Sequence, residues 1–585
     1  MVKHMLSFAR QNHFLVFGGG FVFVSFLFLI LAMSGLFLPV LILPLITLFS
    51  ASSIFTLFSF WKSIPKKEKL GLFLIVLVTI GAAYFSRMEP TVFTGRDQGS
   101  ISIAAIELAK NHRLTFTLPL ATDFFTIYGK GAALNFPGFF YTDGGSLITQ
   151  FPLGYTAFLA SFFQTFGLVG LTIGNGVILL ASFLTLYRLL QKLAPKVFGP
   201  GMILFASSLI PLFLFHLTLT ENFALFLFLF LTLQLTEFFQ EKSAASYFGV
   251  LLPALFFPFV RIEGFAFLCI TILMLASMKE SRQFIQKRFL ERCILPFSFF
   301  MLVFMASFFV NDPFYRTIGK AFIKSFSSTS SSEAATSLFA LPVVLSLYGL
   351  LPILIAGLIG SFILLQSKKW LLLIPVFLAF PTFIYFFSPS ITPDHPWMLR
   401  RFLFSIWPSL LLTFLFTLET LLEKKYIRKS VTFILPLLLT LGQVPAFFSF
   451  SSPKNDVSLL SQVASFSSHF SSTDRILIDR EVTGDGFTMV SGPAASLFGI
   501  DAAYFFNPLD MKNLPVHDGV TTYLLVPEKK ISFYEENMRD FLLTPKQGMN
   551  FTYNMRETLP VAIPSFPQLT ERSVTSILLE VTPKH

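Results

Sequence analysis

The sequence predicts a polytopic α-helical membrane protein with about 13 transmembrane helices, followed by an extracytoplasmic α/β domain. Of the 585 residues 54% are hydrophobic and only 13% are charged, whereas soluble proteins carry roughly 25% charged residues. Long stretches such as 14–31 and 223–235 contain no charge at all. Because a bilayer offers no water to bond the backbone, apolar stretches of this length should be helices.

The predicted spans are separated by loops, and with one exception the loops that carry clustered Lys and Arg fall on one side of the membrane. Since basic loops stay in the cytoplasm, we expect a cytoplasmic N-terminus and a multi-pass protein of the plasma or inner membrane. This bias also explains the formal net charge of +11, so no nucleic-acid partner is expected. The spans are predicted near 14–35, 37–60, 70–86, 168–187, 200–219, 222–238, 247–260, 264–277, 293–310, 338–365, 370–387, 402–421 and 431–450.

One apolar stretch, 151–166, is predicted to lie in or near the outer interface without crossing the membrane. Counting it as a span would place the basic loops that follow it on the outside. The outer face then receives a long first loop, about 87–165. It also receives a basic loop with Arg316, Lys320 and Lys324, which is either a binding surface or a local exception to the rule.

The chain changes character near residue 451, which divides it into a membrane domain (1–450) and an extracytoplasmic C-terminal domain (451–585). Short runs of β-branched and apolar residues at 475–479, 521–526 and 576–581 predict strands, and glycines and prolines between them predict turns. We therefore expect a small mixed α/β domain at this end.

Charged residues that could carry chemistry converge on the predicted outer face. Arg96 and Asp97, in Thr94-Gly-Arg-Asp-Gln-Gly99, precede a stretch whose Ile101, Ala104, Ala105 and Leu108 fall on one helical face. A carboxylate at the mouth of a helical bundle suits general-base work on a hydroxyl acceptor. The alternative is that Asp97 only caps the following helix.

Other outer groups could join Asp97. Glu221 begins a span, where an acid is also favoured by the helix dipole alone. Arg261 and Glu263 lie between two short spans, where they could equally form a mutual pair or contact lipid headgroups. The remaining candidates occupy the loop Pro393-Asp-His-Pro-Trp-Met-Leu-Arg-Arg401 and comprise His395, Arg400 and Arg401. Adjacent arginines could clamp a phosphate or diphosphate, or simply anchor headgroups.

Taken in order, these motifs make the sequence resemble the GT-C superfamily of membrane glycosyltransferases, near the branch of protein O-mannosyltransferases and lipid A aminoarabinose transferase. The resemblance covers about 93–408. The motifs that carry it are Gly95-Arg-Asp-Gln-Gly99, Gln150-Phe-Pro-Leu-Gly-Tyr155, Thr220-Glu-Asn222, Arg261-Ile-Glu-Gly264 and Arg400-Arg401.

The resemblance implies a transferase whose donor is a sugar on a polyprenyl phosphate and whose acceptor is a glycan, lipid or protein. It implies that Asp97 activates the acceptor, that Arg261, Arg400 and Arg401 hold the donor phosphate, and that Glu221 supports the site or a metal. Some members use a divalent cation and others do not, so the metal stays open. The absence of a second acid beside Asp97 puts a protein acceptor in doubt.

Readings from other functional classes also remain. A transporter or flippase for lipid-linked sugars would need ionisable groups near mid-membrane, and in these spans almost all charges sit at the ends. A glycan polymerase or ligase would call for a large late outer loop between spans, and a scaffold without enzymatic activity stays open. No glycine-rich phosphate loop followed by Lys indicates ATP hydrolysis.

Overall fold

The computed structural model describes residues 13–85, 91–327, 341–387, 396–451, 458–471, 473–557 and 565–584. Within these ranges the predicted fold class is confirmed, since a bundle of apolar helices precedes a mixed sheet. In the described ranges seven helices are long and apolar enough to cross a bilayer, or up to nine if each of two bent pairs is one span. The count of about 13 is not confirmed. The seven long helices are Phe14–Met33, Pro39–Lys62, Leu168–Leu193, Thr220–Glu241, Leu290–Val310, Arg400–Glu423 and Lys429–Ser451.

Most of the remaining predicted spans are helical but short or interrupted. The first bent pair, Gly264–Ser277 and Lys279–Gln286, turns by 96°, and the second, Leu341–Leu347 and Leu351–Gln366, turns by 105°. The apolar stretch Trp370–Phe386 alternates between 3₁₀ and α turns, because its prolines remove backbone donors. The other helices of the bundle are Lys66–Phe85, Phe198–Ala206, Leu209–His216, Ala244–Phe256, Ile374–Ala379 and the amphipathic Asp312–Ser327.

Basic loops gather at one end of this bundle. Lys192 lies 3.4 Å from Glu241, at the far end of the helix that begins at Thr220. Lys369 lies 3.3 Å from Glu423, which ends the helix Arg400–Glu423. The residues that begin those two helices lie at the opposite end, as the predicted order of spans requires. Which end faces the cytoplasm stays a prediction.

The first loop contains regular structure of its own. Its three short strands form an antiparallel sheet in the order β1-β2-β3. The helix at the end of the loop, Leu153–Phe166, has 14 residues, fewer than the roughly 20 that a span needs. The elements of the loop are Asp97–Asn111, Pro119–Tyr128, β1 (Gly131–Ala132), β2 (Phe139–Tyr141), β3 (Leu147–Thr149) and Leu153–Phe166.

The C-terminal segment is a five-stranded mixed sheet with three flanking helices, so the predicted strands and α/β class are confirmed. Strand order is β5-β4-β6-β8-β7, with β4 parallel to β5 and β6, and β8 antiparallel to β6 and β7. The domain boundary at 450/451 stays a prediction. The elements are Leu459–Ser467, β4 (Arg475–Ile478), Ser491–Phe498, β5 (Asp501–Tyr504), β6 (Thr522–Pro527), Ile531–Asn537, β7 (Phe541–Glu557) and β8 (Gln568–Pro583).

The C-terminal segment packs against the first loop through residues that the sequence did not identify. Arg475 on β4 forms a buried ion pair with Asp123 of the loop, and the Leu120 amide donates to Asp501 on β5 at 3.0 Å. The helix Ser491–Phe498 also packs against the helix Asp97–Asn111, which is buried from Gly99 to Ala109. The expectation of a single apolar face on this helix was therefore incomplete, because its other face is covered by distant chain.

Candidate active site

The helix that carries Asp97 begins in a tight approach of backbone to backbone. Gly95 has a φ of 104°, a left-handed conformation that favours glycine. A Cβ on Gly99 would lie 1.7 Å from the Phe93 carbonyl oxygen. The motif therefore needs a glycine at each of these positions. Asp97 is the first helical residue, and the preceding Arg96 occupies the cap position without a side-chain cap bond, so the alternative of a simple cap is not what the structure shows.

Arg400 joins Asp97 to Glu221. Its Nη1 donates to Asp97 Oδ2 at 2.5 Å, and its Nε lies 3.7 Å from Glu221 Oε1. The Glu221 side chain is 3% exposed and that of Asp97 is 35% exposed. One guanidinium thus holds a buried and an accessible carboxylate together, and the accessible one keeps room to meet a substrate.

Arg261 forms the second half of the same network. Its Nη1 lies 2.7 Å from Glu221 Oε1, and it binds Glu263 through Nη2 at 2.7 Å and Nε at 3.2 Å. Tyr385 donates a short hydrogen bond to Glu263. Burial alone would raise the pKa of Glu263, but the neighbouring Arg261 guanidinium outweighs it and lowers that pKa to about 2. The mutual pair weighed from the sequence is present, and it belongs to a larger cluster.

These charges line a cavity of about 250 Å³. Arg401 lies on its wall beside Arg400, and its guanidinium is 5.3 Å from the Tyr385 ring centroid. Phe314 and Ile318, from the amphipathic helix Asp312–Ser327, form an apolar part of the wall. The cavity therefore combines cationic and anionic groups with apolar surface, which suits a ligand with a charged head and an apolar tail.

Buried amides fix the start of the Glu221 helix. Asn222 donates to the Asn175 side-chain oxygen at 3.0 Å, and Tyr155 donates to the same oxygen at 2.6 Å. Asn175 donates in turn to the carbonyls of Phe215 and Leu217 at 3.2 and 3.1 Å. These bonds hold the residue next to Glu221 in place through its side-chain nitrogen, and they explain why an Asn follows Glu221 in the Thr-Glu-Asn motif.

The structure thus brings six predicted residues into one cluster: Asp97, Glu221, Arg261, Glu263, Arg400 and Arg401. Arg96 lies beside it, with its guanidinium carbon 5.0 Å from the Trp397 ring centroid and 4.5 Å from that of Phe487. His395 lies outside the described residues.

Three aromatic residues of the site were missed from the sequence: Tyr385, Trp397 and Phe487. Trp397 lies four residues after Pro393 in the predicted outer loop, and its place in that loop could have indicated that it belongs to the site. Phe487 and Tyr385 had no such signal, because the chain contains 79 Phe and 14 Tyr.

The question of a metal stays open. In the described part of the chain no group of three or more His, Cys, Asp or Glu side chains could hold a metal ion. The carboxylates of the site are instead neutralised by arginines, at the distances given above.

Comparison with known proteins adds a likeness of fold. No family model matches the chain, and no curated protein matches it. Among solved structures, ArnT from Cupriavidus metallidurans in the apo state is 10% identical with a TM-score of 0.47, over 86% of this chain and 97% of that one. The same protein bound to undecaprenyl phosphate is 9% identical with a TM-score of 0.47, over 88% and 98%. At this identity and TM-score the likeness says nothing about the chemistry of this chain.

Proposed function

We propose that this chain is a membrane glycosyltransferase. It would move a monosaccharide from a polyprenyl-phosphate-linked donor to a hydroxyl of an acceptor on the extracytoplasmic face. The observation that carries the proposal is the Asp97–Arg400–Glu221 bridge beside Arg401 in a cavity with an apolar wall. An accessible carboxylate next to cationic groups is the set that transfer from a phosphate ester requires.

In the proposed reaction Asp97 Oδ1 or Oδ2 takes the proton of the acceptor hydroxyl. The hydroxyl oxygen attacks the anomeric carbon while the bond between that carbon and the phosphate oxygen breaks. The electron pair of that bond leaves with the polyprenyl phosphate, whose growing negative charge Arg400 and Arg401 stabilise. A single displacement of this kind inverts the anomeric configuration.

The ion pairs suit this division of roles. The base has to act as a carboxylate, the form that accepts a proton, and Arg400 places an opposite charge 2.5 Å from Asp97. Arg261 gives its donors to Glu221, Glu263 and Thr220, so it would act on the donor phosphate mainly through its charge. Arg401 would meet the phosphate directly from the cavity wall.

The test is transfer in membrane vesicles from a panel of polyprenyl-phosphate sugars, comparing the wild-type chain with Asp97→Asn. Asp143→Asn is the matched control, because Asp143 is an acid of the same loop that is 83% exposed. We expect loss of transfer in Asp97→Asn with normal membrane insertion, and wild-type transfer in Asp143→Asn.

Equal transfer by Asp97→Asn and the wild-type chain would contradict the assigned base and direct the search to Glu221 and Glu263. Movement of an intact lipid-linked sugar across the vesicle without transfer would favour the transporter or flippase instead.

A further inference from the structure

A turn of the C-terminal segment, residues 484–490, contacts the residues that immediately precede the Asp97 helix. Its shape is fixed by its own short-range bonds. Gly484 takes a φ of 73°, and the Asp485 carboxylate accepts from the Phe487 amide at 3.0 Å and from the Thr488 hydroxyl at 2.7 Å. The turn is therefore a preformed unit that presents Phe487 at its tip.

This turn is bonded to the residues that precede Asp97. Thr94 and Met489 exchange two backbone hydrogen bonds, of 3.1 and 2.9 Å. A Cβ on Gly95 would lie 2.7 Å from the Phe487 carbonyl oxygen, and one on Gly492 would lie 2.4 Å from Thr94 Cγ2. Glycines on both sides of the contact allow this close approach. The turn is thus seated against the site itself.

Phe487 and Trp397 hold Arg96 between them. The guanidinium carbon of Arg96 is 4.5 Å from the Phe487 ring centroid and 5.0 Å from that of Trp397. Trp397 is also 4.3 Å from the guanidinium carbon of Arg400, the residue that binds Asp97. The aromatic pair therefore reaches from the C-terminal segment to the arginine that orients the proposed base.

The Phe487 side chain nevertheless remains 50% exposed. Single exposed apolar residues are common on protein surfaces. This one differs because its backbone lies against Gly95, two residues before Asp97, and its ring contacts the Arg96 guanidinium, which Trp397 also contacts. Aromatic rings offer a large apolar face at low entropic cost, and a pyranose ring offers a matching face of C–H groups, whose contact with the ring removes apolar area from water.

We propose that Phe487 is an acceptor-binding residue and that the acceptor is a carbohydrate-bearing molecule whose sugar ring stacks on it. This inference rests on the proposed function. It gives the C-terminal segment a task, because the segment supplies the acceptor side of the site while the membrane helices supply Arg400 and Arg401 on the donor side. A polypeptide acceptor is the alternative that the test below separates.

The kinetic test uses the full-length protein, the donor sugar that supports transfer, and the glycolipid fraction of membranes from the encoding organism. Phe487→Ala should raise the KM for that fraction about tenfold, which corresponds to ~1.4 kcal/mol for one lost stacking contact, and leave the donor KM unchanged. Phe487→Trp should retain transfer. Phe533→Ala is the control, because Phe533 is 47% exposed in the same segment.

Two kinetic results would overturn the proposal. One is an acceptor KM in Phe487→Ala equal to that of the wild-type chain. The other is transferred label that is released by protease in the polypeptide fraction rather than recovered with the glycolipid.

A binding test separates this proposal from the proposed function. The indole emission of Phe487→Trp, after subtraction of the wild-type signal, should shift saturably with the glycolipid fraction. It should not shift with the same fraction after periodate has opened its sugar rings, and Phe533→Trp should respond to neither. A flat titration would refute stacking whether or not transfer occurs. A saturable shift in a protein that transfers nothing would keep the carbohydrate site and refute the transferase.

Discussion

The two acids that share Arg400 should respond differently to the loss of their charge. Glu221 is 3% exposed, 2.7 Å from Arg261 and 3.7 Å from Arg400, whereas Asp97 is 35% exposed and 2.5 Å from Arg400. Glu221→Gln removes the buried carboxylate between two cations, each of which then keeps a single carboxylate partner, Glu263 for Arg261 and Asp97 for Arg400. Asp97→Asn removes a partly solvated one.

The magnitudes follow from burial. A unit charge pair at about 4 Å is worth ~4 kcal/mol at an effective dielectric constant of ~20, and breaking one buried pair costs about 3–5 kcal/mol in total stability. We therefore expect Glu221→Gln to lower the free energy of unfolding by ~3 kcal/mol. For a partly exposed pair the comparable loss is about 0–1 kcal/mol, which we expect for Asp97→Asn.

The assay is the thermal unfolding midpoint of purified protein in one detergent, read beside sugar transfer. Glu221→Gln should lower the midpoint, and transfer by the fraction that remains folded should be reduced but measurable. Asp97→Asn should keep the wild-type midpoint and lose transfer. The reasoning is refuted if Glu221→Gln keeps the wild-type midpoint and loses transfer, because Glu221 would then be the better candidate for the base.

Three further predictions concern topology, pH and backbone. A reporter fused after Val581 should respond as extracytoplasmic, and a cytoplasmic signal would overturn the order of spans. Burial raises the pKa of Asp501 to about 6 from its usual 3.8, so the folded chain binds more protons than the unfolded chain between these values. The contact of Asp501 with the first loop should therefore be more stable at pH 5 than at pH 7.5. The measurement is the protection of the backbone amides of 119–128 from hydrogen exchange at the two pH values, and Asp501→Asn should remove the difference in protection between them. Gly99→Ala should sharply lower the yield of folded protein, because the added Cβ would overlap the Phe93 carbonyl. A yield equal to that of the wild-type chain in size-exclusion chromatography would contradict this expectation.

Elements that depend on a short stretch of chain could be predicted from the sequence. The helix Thr220–Glu241 follows from its apolar composition, and strand β4 follows from a run of branched residues between turn signals. The meeting of Asp97, Glu221 and Arg400 could also be anticipated, because each of them lies near the predicted outer end of a span. Charge inside the spans is rare in this chain, so charged residues at the outer span ends were the natural candidates for a site.

Contacts between distant segments could not be predicted in the same way. Arg475 pairs with Asp123, which lies 352 positions away in the sequence. The residues around either one do not indicate which partner it will have. Phe487 is one of 79 phenylalanines, so its place against Arg96 depends on a backbone contact that only the folded chain defines. The number of spans was difficult for a related reason. Bends and 3₁₀ turns depend on neighbouring helices as well as on the prolines that permit them.

The C-terminal residues that pack on the Asp97 helix are synthesised long after the helix itself. Lys110, near the end of that helix, bonds to the Ser496 carbonyl 386 positions later. At synthesis rates of about 5–20 residues per second, roughly 20–80 s separate the making of these two partners. During that interval the helix has been synthesised, but one of its faces lacks its packing partner. A chain released before its last hundred residues would carry every membrane arginine of the site and still lack the surface that seats Asp97, so activity would be the last property the protein acquires.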